Sequence, residues 1–293
     1  MTTFDTPDLV NLRARGWNAP NLLPRALGSI RKIKLSLALA WATIALVALW
    51  AIAPALFTVY SGTEGLAADK LRAPSAAHIL GTDALGRDVF ARIVYGSVHS
   101  LSGAVAAVAV GLIIGTAIGL LAAAIGGRTE NIVMRLVDVL LAIPTLLLSL
   151  AIIILLGFGT VNAAIAVGAS TIASFARLAR AEVVKIRRSE YVEAAFGSGG
   201  SFFAVMWRHV LPNSLTPIIA FAALQFGTAI LNISTLGFLG YGAPPPTPEW
   251  GLLIAEGRNY VSTAWWLTTA PGIVVLLVVL SANRISRSIG RPQ

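Results

Sequence analysis

Side chains able to do covalent chemistry are sparse in this chain of 293 residues, and their spacing excludes most catalysis. There is no cysteine, which rules out disulfides, iron–sulfur clusters and thiolate-bound zinc. The three histidines, His78, His99 and His209, lie too far apart in sequence to suggest a metal site. Asp83 and Asp88 lack the spacing and partners of a calcium loop. A phosphate-cradling loop requires G-x-x-x-x-G-K-[ST], and none of Lys32, Lys34, Lys70 and Lys185 follows a glycine, so the chain cannot use ATP alone. Asp138 is the one acid inside a long apolar run. Arg135 stands three residues before it, so an ion pair at the membrane surface is expected there rather than a proton relay. A two-aspartate intramembrane protease would need a second such acid. No catalytic residue and no metal ligand is assigned, and the chemistry left is recognition: docking of partners and passage of a solute.

The elements that must position such surfaces are membrane spans. Apolar residues make up 56% of the chain and charged residues 12%, with a formal charge of +9, whereas soluble domains carry about 25% charged residues. With a mean hydropathy of +0.79, lipid is the expected solvent for most of it. An isoelectric point near 10.6 would suit nucleic acid, but Lys and Arg sit in clusters between apolar runs, so no nucleic-acid partner is expected. Six runs are candidates to cross a bilayer: 35–57, 99–126, 136–157, 160–176, 214–240 and 264–283. Each must be a helix, because an isolated strand leaves its backbone unsatisfied in lipid. The expected fold class is an all-α membrane protein with six transmembrane helices. The first run follows a polar start of 34 residues and is too long for a cleavable signal, so it is read as a retained anchor.

Alternating the runs places 17 Lys and Arg on the side of the amino terminus, including Arg13, Arg15, Arg128, Arg177, Arg180, Lys185, Arg187, Arg188 and Arg291. Only Lys70, Arg72, Arg87, Arg92 and Arg258 fall on the other. By the positive-inside rule both termini are cytoplasmic. The organisation expected is a cytoplasmic segment 1–34, a first helix 35–57, an outer loop 58–98, a core 99–283 of five helices with a cytoplasmic loop at 190–213, and a tail 284–293. In the second run Gly103, Ala107, Gly111, Gly115, Gly119 and Ala123 recur every four residues, a nearly bare face that a neighbouring helix can approach closely.

The cytoplasmic loop reads EYVEAAFGSGGSFFAVMWRHVLPN over 190–213. Glu193, Ala194 and Ala195 favour a helix, Gly199 breaks it with positive φ, and a second short helix carries Phe202, Phe203, Val205, Met206 and Val210 towards Pro212. This stretch resembles the EAA loop of ABC importer permeases: E-A-A, glycine six positions after the Glu, then L-P. Glu193, Ala194, Ala195, Gly199, Leu211 and Pro212 match in register. In that family the loop is a coupling helix seated in a groove of a cytoplasmic ATPase subunit.

A second block, HILGTDALGRDVFARIVYGSVHSL over 78–101, is similar to the segment before the second span in dipeptide, oligopeptide and nickel permeases of the second-subunit type. By itself it parses as a tight turn at Gly81 and Gly86, with Thr82 and Asp83 as caps, followed from Asp88 by an amphipathic helix lying on the membrane beside Arg87 and Arg92. Residues 134–144 and 236–260 agree with the same family, and in the latter four prolines, Pro244, Pro245, Pro246 and Pro248, enforce an extended connection. Trp250, Trp265 and Trp266 are expected as interfacial anchors. The chain ends NRISRSIGRPQ, without the acidic tail common in the family.

The resemblance implies a type I ABC importer permease fold in the bacterial cytoplasmic (inner) membrane. It implies a homologous second permease as heterodimer partner, two ABC ATPase subunits that bind ATP and Mg, and an extracytoplasmic substrate-binding protein; this chain itself holds no cofactor. The fifth span would contribute to the pathway, with Gln225, Thr228, Asn232, Ser234 and Thr235 either as a polar wall or as interhelical hydrogen-bonding groups. The solutes implied are dipeptides, oligopeptides, glutathione, opines or nickel chelates. An ATP-independent secondary transporter and a membrane scaffold are the readings from other classes.

Overall fold

The computed structural model describes the backbone of residues 23–289 and side chains from Leu35 onward. The basic side chains before Leu35, Arg13 and Arg15 among them, and Arg291 in the tail lie outside the described residues. Helix α1, Leu23–Ile52, ends sooner than the expected 57 because Pro54 opens a separate 3-10 turn, Pro54–Leu56. It leans on the outside of the bundle, against what follow as α2 and α11.

Helix α2, Val89–Val110, passes through a π-helical turn, Gly111–Gly115, into α3, Thr116–Ile125. Together they form one continuous span, Val89–Ile125. It starts ten residues before the expected position 99. The amphipathic segment expected to lie on the membrane is instead the first two turns of this span. Asp88 caps it by accepting the Ala91 amide at 2.7 Å, and Val89, Ile93 and Val94 are buried in protein rather than in lipid.

The third expected span is broken. Helices α4, Gly127–Ala142, and α5, Thr145–Leu156, meet at 93°. The cause is local: Pro144 denies its predecessor the helical region, and Ile143 is extended at φ −86°, ψ 128°. Helix α6, Thr160–Arg187, runs well beyond the expected 176 and is the central strut, the most enclosed of the spans. The small-residue face of the second span packs on it. A Cβ at Gly119 would sit 2.9 Å from the Ala179 Cβ, and one at Gly168 of α6 would sit 2.8 Å from Val110. With lipid tails as apolar as the side chains, such close dispersion contact is what drives helices together.

Asp138 pairs with Arg177 of α6 and not with Arg135. Helix α4 crosses the end of α6, so an arginine on the facing helix stands nearer than the one on its own. Glu130 repeats the pattern with Arg180 at 2.6 Å.

Helix α7, Glu190–Gly197, is followed by α8, Phe202–Val205, a second π-turn, Met206–Val210, and α9, Leu211–Phe238. The second short helix of the loop is therefore the start of a single span, Phe202–Phe238, not a separate piece. Residues 241–249 carry no helix, as the prolines require. Then come α10, Trp250–Gly257, and α11, Trp266–Ile289. Among the described residues five helices are long and apolar enough to cross a membrane, and the bent pair, counted as one span, makes six. The core lies where α2, α6, α9 and α11 meet, around Ile93, Val167, Ile233, Trp250 and Val278.

Candidate functional site

The 190–213 loop has an inner and an outer face. On the inner face Val192, Val205 and Val210 are buried in a cluster with Ala123 of α3 and Val183 of α6. The two helices are joined at Gly199, whose φ of +86° only glycine adopts without strain. Ser201 caps α8 through the Ala204 amide. Arg187 locks the joint: it donates to the Ala123 carbonyl at 2.5 Å and its guanidinium lies 5.9 Å from the Phe202 ring centroid. On the outer face Glu193 and Ala194 are exposed, with Tyr191 at 48%, Phe203 at 82% and Trp207 at 75%. Ala195 and Leu211 are half-buried, and Pro212 is exposed in the first turn of α9. The six motif positions are thus held on one knob bearing exposed aromatic rings, an arrangement suited to seating in another protein's groove. The motif and the phenylalanines Phe202 and Phe203 were legible in the sequence, whereas the exposure of Tyr191 and Trp207 on the same face was not.

On α9, Gln225, Thr228, Asn232 and Thr235 are spaced three, four and three apart and share one half-buried face. Thr228 and Thr235 donate to carbonyls of their own helix, Leu224 at 3.5 Å and Leu231 at 2.7 Å, so their hydroxyls do not bond across to other spans. The Asn232 amide nitrogen is buried without a hydrogen-bond partner among the described residues. Ser234 is not on this stripe. It is buried on the opposite side of the helix, where Gly251 of α10 approaches its backbone.

The outer motif forms a charge cluster that sequence reasoning missed. Gly81 and Gly86, at φ +73° and +76°, turn the chain so that Thr82 bridges to Asp88. Asp83 then accepts from Arg87 Nε at 2.6 Å and from an Arg92 terminal nitrogen at 2.7 Å. Both arginines also reach Glu256 at the end of α10, at 3.2 and 2.5 Å. Burial alone would raise the Asp83 pKa, but the Arg87 and Leu85 amides and the two guanidinium charges outweigh it, holding this loop carboxyl below its ordinary value. His78 meets Asp88 at 2.9 Å, and the Trp266 indole donates to the Thr82 carbonyl at 3.2 Å. Two arginines beside two aspartates in an otherwise largely apolar stretch were the available signal; the third acid, Glu256, more than 160 residues away, was not.

The other end of α10 is fixed as firmly. Glu249, fully buried in the loop before α10, accepts the Gly251 and Leu252 amides at 2.9 and 3.0 Å and the Ser100 hydroxyl at 3.2 Å. Burial without a neighbouring cation raises its pKa despite these three donors. Trp250 is not an interfacial anchor: it is wholly buried and donates to the Ile93 carbonyl at 3.0 Å. Trp266 is buried as well, and Trp265 is the exposed member of that pair.

Residues 115–291 match the family model described as the binding-protein-dependent transport system inner membrane component. The chain is 43% identical over 235 residues to the dipeptide transport system permease protein DppC of Alkalihalophilus pseudofirmus, covering 80% of this chain and 77% of that one. It is 42% identical over 214 residues to the probable D,D-dipeptide transport system permease protein DdpC of Escherichia coli (73% and 72% covered). The glutathione transport system permease protein GsiD of Pectobacterium atrosepticum is 40% identical over 210 residues (72% and 70%). A chain of the MetNI methionine ABC transporter in an inward-facing conformation superposes with a TM-score of 0.55 at 18% identity, covering 68% of this chain and 97% of that one. With its helices, its bent third span and its 190–213 loop in this arrangement, the chain belongs to the inner membrane components of binding-protein-dependent transport systems and has the permease fold of ABC importers.

Proposed function

We propose that this permease forms, with a homologous partner permease, the pathway of an ABC importer for dipeptides or related peptide-like solutes, glutathione included. The observation that carries the energetic half of this reading is the 190–213 knob. Its inner face is clamped to the ends of α3 and α6, while its outer face exposes Glu193, Phe203 and Trp207. Force applied to such a knob is transmitted to α6, the strut of the bundle, rather than absorbed by a loose loop.

Two cytoplasmic ATPase subunits bind ATP and Mg and dock on this knob and its counterpart; this chain performs no hydrolysis. A binding protein in the extracytoplasmic space delivers solute to the outer loops. The Gln225–Thr235 face offers weak polar contacts along the way, which suits a solute that must leave again. The relatives named for dipeptides and glutathione favour a solute with peptide bonds. Closure of the ATPases changes the free energy of the knob contact between two states, as a rigid-body switch requires.

The test uses the assembled transporter in liposomes. Trp207→Ala should weaken ATPase association by about thirtyfold, the loss of an interface hot spot of about 2 kcal/mol, and abolish ATP-driven dipeptide uptake with membrane insertion intact. Solute flux through this permease without any ATPase subunit would overturn the reading in favour of a secondary transporter. Unchanged ATPase binding would remove the knob from the coupling path.

A further inference from the structure

The knob is not the only exposed feature at the cytoplasmic end. Where α3, α4 and α6 finish, Arg180, Arg187, Arg188, Glu130, Val184 and Ala123 line a cavity of about 290 Å³. Three guanidinium groups face one carboxylate, a formal surplus of two positive charges. Glu130 engages Arg180 at 2.6 Å through Nε only, and Arg187 gives one nitrogen to the Ala123 carbonyl. Terminal N–H groups of Arg180 and the whole exposed Arg188 side chain remain for an acceptor.

We propose that this pocket seats the phosphate of an anionic phospholipid such as phosphatidylglycerol. Depth is the first argument: the apolar run of α3 stops at Ile125, two residues past the lining Ala123, so the pocket stands at the cytoplasmic edge of that span. Basic pockets between helices on the cytoplasmic side bind such headgroups. Chemistry is the second, because the planar guanidinium fork matches phosphate oxygens in pairs. The third is the pair of helices that carry it: Leu121 and Ile125 on α3 and Ile132 on α4, two residues from the lining Ala123 and Glu130 and turned to the other face, are each more than 60% exposed, apolar surface on the same helices along which acyl chains can lie and which a free phosphate would not use. The site has a route to the knob, since Arg187 also stacks on Phe202; that consequence rests on the docking role proposed above, whereas the lipid site does not.

The complete transporter, purified with its partner subunits from nanodiscs containing phosphatidylglycerol, is delipidated stepwise and its retained lipid counted by native mass spectrometry. Wild type and Arg188→Lys should keep phosphatidylglycerol, and Arg188→Gln should keep about tenfold less at equal subunit stoichiometry and melting temperature, the loss of one charge-assisted contact. Equal retention by wild type and Arg188→Gln would overturn the proposal. So would displacement of the lipid by millimolar inorganic phosphate, which assigns the pocket to a free anion, or loss of the ATPase subunits from Arg188→Gln irrespective of lipid, which assigns it to an acidic protein partner. Retention is read as mass, so its failure leaves the docking reading untouched, and failed docking leaves retention unchanged.

Discussion

At the scale of single residues, two buried carboxylates at the outer end respond to pH with opposite sign. Asp83 is held below its ordinary value of 3.8, so its contribution to stability is complete above that value and is lost as pH falls through the depressed one. Asp83→Asn should therefore destabilise by about 3–5 kcal/mol at neutral pH, because it leaves two buried arginines short of a partner. The gap from wild type should narrow only below pH 3.8. Glu249 is raised above 4.5: its folded form favours the proton, and that contribution fades as pH rises through the raised value. Glu249→Gln should gain on wild type in melting temperature as pH rises above 4.5, read by scanning fluorimetry in detergent. These roles were illegible in the sequence. Arg92 and Glu256 look like ordinary surface charges until the chain brings them within 2.5 Å, and nothing local to Glu249 tells a helix cap from a solvated acid.

At the scale of elements, span existence was legible and span boundaries were not. Apolar length marks a helix that meets lipid, so six runs were legible from composition alone, five as helices long enough to span and the sixth as the bent pair α4 and α5. It fails where protein replaces lipid as the surroundings: the start of α2 reads as a membrane-surface helix because its buried Arg92 imitates a wet face. The proline after Ile143 did mark the break, but a proline is compatible with a mild kink as well as with 93°. Glycines show the same division. Gly119→Val should lower the yield and melting temperature of the assembled permease by roughly 1–3 kcal/mol of overpacking, since its Cβ would stand 2.9 Å from Ala179. Gly272→Ala, with nothing within 4 Å, should be harmless in the same assay. Spacing announces the first glycine as a packing position, whereas no feature of the sequence distinguishes the second.

For the whole molecule, the two ends differ in construction. The outer end is welded: α10 is fixed to α2 at both of its ends, by Glu249 and Trp250 on one side and by Glu256 on the other, and Trp266 ties α11 to the same turn. The inner end is a knob on a short apolar footing. Hydrogen exchange should accordingly protect amides over 89–104 and 250–257 longer than those over 190–205 in the isolated permease, and the difference should shrink when the ATPase subunits bind. The π-turn at Gly111–Gly115 bears on the joint that connects these ends. An α-helix advances about 100° per residue, so a strict four-residue repeat slips roughly 40° sideways at every step. From Gly103 to Ala123 the slip would carry the bare face about half-way round the helix and away from α6. A wide turn holds an extra residue, takes back one residue's worth of rotation, and returns Gly115 and Gly119 to the same neighbour that Gly111 meets. The repeat and the wide turn are thus phase-matched, and removing one residue between Gly111 and Gly115 should rotate the inner half of the span, and the basic pocket and knob with it, relative to a fixed outer half.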